Sequence, residues 1–157
     1  MHVEHLLVLT PYVDDSVFAD QALRNLWKRT IATVESTIVV RTTQAADAVL
    51  RSTQFMQRHC SVRIDPRLHA KVFLAWRPGA ELALVGSHNL TGAALHANKE
   101  IGILIKPSAS GMRVIVWQLR AALEAIARSS NLYRTTCLVR TRPSVAGSES
   151  CGNGVKQ

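Results

Sequence analysis

Two amphipathic stretches, residues 14–29 (DDSVFADQALRNLWKR) and 44–59 (QAADAVLRSTQFMQRH), each lie between short apolar runs, and that alternation limits the folds open to this chain. The flanking runs HLLVLT (5–10), STIVVRT (36–42) and CSVRI (60–64) are strand-like in length and in β-branched content. The first amphipathic stretch carries acids at its start and bases at its end, the order a helix dipole favours. Two further runs, LHAKVFLAW (68–76) and ELALVGS (81–87), sit either side of RPGA, whose Pro-Gly pair signals a turn. EIGILI (100–105) reads as another strand, and SGMRVIVWQLRAALEAIARS (110–129) as a long amphipathic helix. The order β-α-β-α-β-β-β-α predicts an α/β domain, a mixed β-sheet with helices on both faces. No internal repeat is present. Residues 1–140 are expected to form the domain, and the Gly/Ser-rich residues 141–157 a disordered C-terminal tail.

A chain of 157 residues, 47% apolar, has the length for one compact core. No apolar run approaches the roughly 18 residues of a membrane span. The opening MHVEHLLVLTPYV lacks a basic leader and is expected to be a first strand rather than a signal peptide. Cys60, Cys137 and Cys151 are odd in number and far apart, which suits neither a disulfide framework nor a zinc site, so a reducing cytoplasm is the expected compartment. His59 beside Cys60 has no second pair at ligand spacing, and no metal or cofactor is expected. The net charge of +8 is polarised: residues 1–50 hold four Lys/Arg against six Asp/Glu (−2), and residues 51–157 hold fifteen against five (+10). Arginine dominates, and its guanidinium suits bidentate phosphate contact. A polyanion is the partner this predicts, nucleic acid before anionic lipid.

Within LHAKVFLAW, His69 and Lys71 stand two apart and would share one face of a strand, with Leu68, Ala70, Val72 and Leu74 on the other. A lone ammonium on a sheet is costly unless something compensates. ELALV then runs into GSHNLTGAAL, where Ser87 and Asn89 are again two apart and LTGAAL is able to open a short helix. Glu100 begins the next strand. Nucleophile, cation, hydroxyl, amide and carboxylate all fall at strand ends or turns, where α/β sheets build sites. Singly, each has an ordinary structural use: a hydrogen-bonded strand histidine, a snorkelling lysine, a turn sequence, a solvated glutamate.

Together, HAK…GSHNLTGAAL…NKE resembles the signature of the phospholipase D superfamily, in which His-x-Lys is usually followed by an Asp after four residues and then by Gly-Ser-x-Asn. The resemblance extends over residues 5 to about 128 and implies a three-layer α/β/α domain, half of a two-motif enzyme. One departure is plain: position 76, where the Asp is expected, is Trp. What the resemblance implies is phosphodiester cleavage without metal, through a covalent phosphohistidine. Mapped by motif, His69 attacks phosphorus, Glu100 orients it, and Lys71 and Asn89 bind the non-bridging oxygens with a further contact from Ser87. The leaving oxygen needs a general acid, which family members draw from a second motif. His2, His5, His59, His88 and His96 all lack a Lys two residues on, so the expectation is a homodimer whose two His69 side chains share one phosphate.

Arg51, Arg58, Arg63, Arg67 and Arg77 fit a nucleic-acid backbone better than a bilayer, and no amphipathic lipid-docking segment is evident. The expected activity is therefore a nuclease acting on DNA ahead of RNA. Backbone contacts carry no sequence information, which leaves room for a partner protein that supplies specificity. A non-catalytic nucleic-acid-binding module is the second reading, and a phospholipase acting on lipid headgroups the third.

Overall fold

The computed structural model describes residues 3–19, 21–52, 59–107 and 110–133. The expected disordered tail, residues 141–157, lies outside the described residues, as do Cys137 and Cys151. Strands β1 (His5–Leu9), β2 (Glu35–Val40), β3 (Cys60–Ile64), β4 (Val72–Arg77), β5 (Ala80–Gly86), β6 (Gly102–Ile105) and β7 (Asn131–Leu132) form one seven-stranded sheet in the order β6-β5-β4-β1-β2-β3-β7. β1, β2 and β3 are parallel, and the remaining pairings are antiparallel, so the sheet is mixed as expected.

The helices are α1 (Gln21–Thr33), α2 (Thr43–Ser52), α3 (Gly92–His96) and α4 (Ser110–Ser129). α1 and α2 connect consecutive parallel strands, and the right-handed sense of such crossovers puts both on one face. Val17, Phe18, Ala45 and Val49 from that layer pack against Val8, Ile38 and Val62 of the sheet. α4 covers the opposite face, where Val116, Leu123 and Ala127 meet Leu7, Leu9, Val39 and Leu74. Residues along β1 alternate between the two layers, as the pleat requires. Each Val, Leu, Ile or Phe among these contributes about 1.5–3 kcal/mol by leaving water.

Several sequence boundaries move. The helix expected over residues 14–29 is a 3-10 turn, Asp15–Phe18, followed by α1. Asp14 caps the turn by accepting from the Ser16 amide, and the Phe18 carbonyl is bound by Arg24 Nε at 2.6 Å, which separates turn from helix. The acids expected in the first helical turn thus belong to the 3-10 turn, and α1 has none there. α2 covers Thr43–Ser52 of the helix expected over 44–59, and residues 53–58 of that expectation lie outside the described residues. β4 begins at Val72, so His69 and Lys71 precede the ladder as an extended lead-in. The burial alternation nevertheless continues through it: Leu68, Ala70, Val72 and Leu74 join the α4-side cluster while Phe73 packs on the other. Glu100 likewise precedes β6. The short β7 gave no sequence signal.

β2 and β4 flank β1 on opposite sides, so strand order diverges at β1, the kind of position where α/β sheets build sites beyond the strand ends. The lead-in to β4 arrives at the carboxyl end of β1, because Leu9 at the end of β1 lies opposite Val72 at the start of β4.

Candidate active site

His69 is presented by a turn at the end of β3. The Asp65 amide donates to the Val40 carbonyl at 2.9 Å, and Asp65 Oδ1 accepts from the Arg67 amide at 2.9 Å. The Leu68 amide closes the turn on the Asp65 carbonyl at 3.0 Å. Buried Leu68 and Val72 then anchor the lead-in on both sides of an exposed His69. Lys71 is half-buried, and its Nζ donates to the His69 carbonyl at 3.1 Å. Its charge therefore stays partly solvated, and the burial cost anticipated for a strand lysine is reduced.

The second loop starts where β5 ends. The Gly86 amide donates to the Lys71 carbonyl at 3.2 Å, which fixes the loop against the His-x-Lys segment. The Ser87 amide donates to the Ile101 carbonyl at 2.9 Å, and Ser87 Oγ accepts from the Ile101 amide at 3.1 Å. The Ser87 hydroxyl donates to the Glu100 carboxylate, whose other oxygen accepts from Asn98 Nδ2 at 3.2 Å. The Ser87 hydrogen bond is the main reason the Glu100 carboxyl is held below the ordinary glutamate range. Burial opposes that shift, while Asn98 and the charges of His88 and Lys71 support it.

Five expected residues thus lie on two adjoining loops and the start of β6, with Glu100 linked to Ser87 by a hydrogen bond and to Lys71 by charge. Glu100 bonds Ser87 and Asn98 rather than the His69 ring. Asn89 follows Ser87 in the same loop, and its Oδ1 is buried without a hydrogen-bond partner among the described residues. A buried unpaired acceptor costs roughly 1–3 kcal/mol.

Sequence reasoning treated position 88 as a spacer, and the structure puts it inside the site. The His88 ring stacks on Phe73 with centroids 5.6 Å apart and planes at 16°. It lies over two glycines paired across β5 and β6: a Cβ on Gly86 would meet the ring at 2.7 Å, and one on Gly102 at 3.2 Å. Gly86 and Gly102 leave a trough on the sheet for the ring, but their pairing across β5 and β6 gives no local sequence signal. His88 Nε2 is buried and, like Asn89 Oδ1, has no partner among the described residues.

The loop continues into α3, capped by Thr91, whose side chain accepts from the Ala94 amide at 3.2 Å. Asp14 and Ser16 clamp the start of α3 by accepting from the Gly92 amide at 3.2 and 3.0 Å. Burial works against the Asp14 charge, but donation from Ser16, Gly92 and Val17 outweighs it and holds the carboxyl below its ordinary range. Among the described residues no three His, Cys, Asp or Glu side chains gather as a metal site needs, and no helix is long and apolar enough to cross a membrane.

Trp76, which replaces the expected Asp, lies at the other end of β4 from His69. Its ring stacks on His5 at 5.1 Å, and the Arg120 guanidinium sits 4.8 Å from its centroid. Arg120 is itself bound to Glu81 at 3.1 Å and Glu124 at 2.9 Å. The substitution therefore changes a clasp between β1, β4 and α4 and leaves the loops of the site untouched.

The sheet and its flanking helices share their fold with a phospholipase D family structure. A phospholipase D family member, Nuc from Salmonella typhimurium, superposes with a TM-score of 0.58 at 18% identity, over 84% of this chain and 83% of that one. Polyphosphate kinase from Porphyromonas gingivalis matches with a TM-score of 0.52 at 17% identity, over 79% of this chain but only 18% of the kinase. No family model and no curated protein matches the sequence.

Proposed function

We propose that this chain is a metal-independent phosphodiesterase, a nuclease that cleaves DNA or RNA through a phosphohistidine on His69. One observation supports the reading: hydrogen bonds join the segment that carries His69 and Lys71 to the loop that carries Ser87 and Asn89, and that loop to Glu100, beside the carboxyl end of β1. A neutral imidazole attacks phosphorus, the P–N bond forms and the bond to the leaving oxygen breaks. Lys71 and the amide of Asn89 neutralise the non-bridging oxygens as charge grows on them. A carboxylate has about four acceptor positions, so Glu100 can bond Ser87 and Asn98 and still receive the imidazolium. Water then attacks the phosphohistidine and its P–N bond breaks.

The leaving oxygen takes its proton from the partner's His69 in a homodimer, and that residue accepts a proton from the attacking water. Edge strand β6, which starts beside Glu100, supports a second copy. Ile101 just before it and Ile103 and Leu104 within it are 79%, 66% and 63% exposed, more apolar surface than an unpaired edge normally leaves in water. The basic balance of residues 51–157 supports a nucleic-acid substrate. A cytoplasmic setting is proposed on the odd number and wide spacing of its three cysteines.

Labelled DNA and RNA incubated with the protein in EDTA test the reading. Cleavage is expected, and His69→Ala is expected to abolish it. A non-catalytic binding module is favoured by one observation, the engagement of Glu100 with Ser87 and Asn98 instead of His69. Binding without cleavage in the same assay would establish that module in place of the enzyme.

A further inference from the structure

Tyr12 lies just beyond β1, and for an aromatic residue it is unusually open at 46% exposed. Both loops of the candidate site hold it. Its carbonyl accepts from the Leu90 amide at 3.2 Å, next to Asn89, and from Thr10 Oγ1 at 3.1 Å. Its hydroxyl accepts from Arg41 NH1 at 3.4 Å, and Arg41 Nε donates to the Pro66 carbonyl at 3.1 Å, in the turn that presents His69. The β1–β4 ladder ends with Leu9 opposite Val72, so Tyr12 and His69 each lie three residues beyond the last pair. The ring is thus oriented from two directions while part of its surface stays in water. Beside it, Arg41 is exposed. Arg67, with a side chain 93% exposed, stands 3.9 Å from Asp65, too loose a pairing to occupy its charge.

An ordered, open aromatic near exposed guanidinium groups is a combination suited to unpaired nucleotides: each base offers a π-face for stacking, and the cations follow the backbone. We infer that Tyr12 is a stacking platform for the nucleobase next to the phosphate at His69, with Arg41 and Arg67 on the neighbouring phosphates, so that the substrate is single-stranded. This rests on the phosphodiesterase reading and adds a strand preference to it. Bases inside a duplex are stacked on both sides and present no face to Tyr12.

The test uses a fluorescein-labelled single-stranded DNA dodecamer, a matched duplex, and a series of dodecamers with one abasic position moved along the strand. Binding is read by anisotropy on the non-cleaving His69→Ala background, and kcat/KM on the His69 protein. Tyr12→Ala is expected to weaken single-strand binding about 5- to 150-fold, the range that loss of one stacked base gives, while Tyr12→Trp stays within about threefold. In the Tyr12 protein one abasic position should reproduce that loss, and in Tyr12→Ala it should add nothing. The abasic series needs no variant at Tyr12, so it decides the matter even if Tyr12→Ala fails to fold. A flat abasic series, or a duplex bound more tightly than the single strand, overturns the inference. Absence of cleavage of every oligonucleotide overturns the phosphodiesterase reading instead, and anisotropy still decides the platform.

Discussion

Individual residues in this site do two jobs, and the paired glycines under His88 show why spacing alone misses one of them. Gly-Ser-x-Asn was legible because Ser87 and Asn89 repeat the two-residue offset of His69 and Lys71. His88 was not, because its place depends on Gly86 and Gly102 meeting across β5 and β6, a pairing no local pattern encodes. A Cβ at Gly86 would also fall 2.6 Å from the Ile101 backbone carbonyl, which has no room to retreat. Gly86→Ala should therefore cost about 1–3 kcal/mol in urea denaturation, and Gly102→Ala less. Ser87→Ala removes the donor that most favours the charged form of Glu100. The Glu100 carboxyl should then titrate at higher pH, a shift readable by carbon-detected NMR. Asp14 bears on acid stability with a definite sign. Its folded carboxyl ionises at lower pH than the unfolded one, so its contribution is complete above the unfolded value and is lost as pH falls through the folded one. Asp14→Asn should flatten the stability profile below about pH 4, measured by denaturation at stepped pH.

At the level of elements, α4 was legible to the residue over 110–129 because its apolar period is uninterrupted for twenty positions. β4 was overextended because hydrophobic alternation outlasts hydrogen-bonded pairing: Leu68 and Ala70 still face α4 after the ladder has ended. β7 escaped notice because two residues carry no period. The hairpin between β4 and β5 was legible from RPGA. Arg77 pairs with Ala80, and Gly79 between them has φ of 78°, the backbone that the second central residue of a type II turn needs after proline. Gly79→Ala meets no neighbouring atom, so its effect is purely conformational. It should lower stability by roughly 1–2 kcal/mol, measured by thermal unfolding.

Across the whole molecule, the two ends of the sheet have separate duties. The carboxyl end of β1 gathers the candidate chemistry, whereas the opposite end is closed by His5, Trp76 and Arg120. This separation is why an aromatic residue at position 76 leaves the site loops intact, a point that motif comparison cannot reach. The uncovered β6 edge makes a direct prediction. Sedimentation equilibrium should report a dimer at micromolar protein, and Ile103→Lys should give a monomer that binds nucleic acid but cuts it far more slowly. The junction of β1 with β4 also dictates an order of assembly. Arg77 and Ala80 are near neighbours in the chain, so the β4–β5 hairpin can close in about 1–10 μs. Pairing His5 with Trp76 must first draw together segments separated by α1, α2 and two strands, with the entropy of a long loop against it. In pulsed hydrogen exchange during refolding, the amides of Leu74 and Ala83 should be protected before those of Leu7 and Leu9. The residues proposed to hold a phosphate lie beside that late seam, so the proposed site takes shape only once this long-range pairing closes.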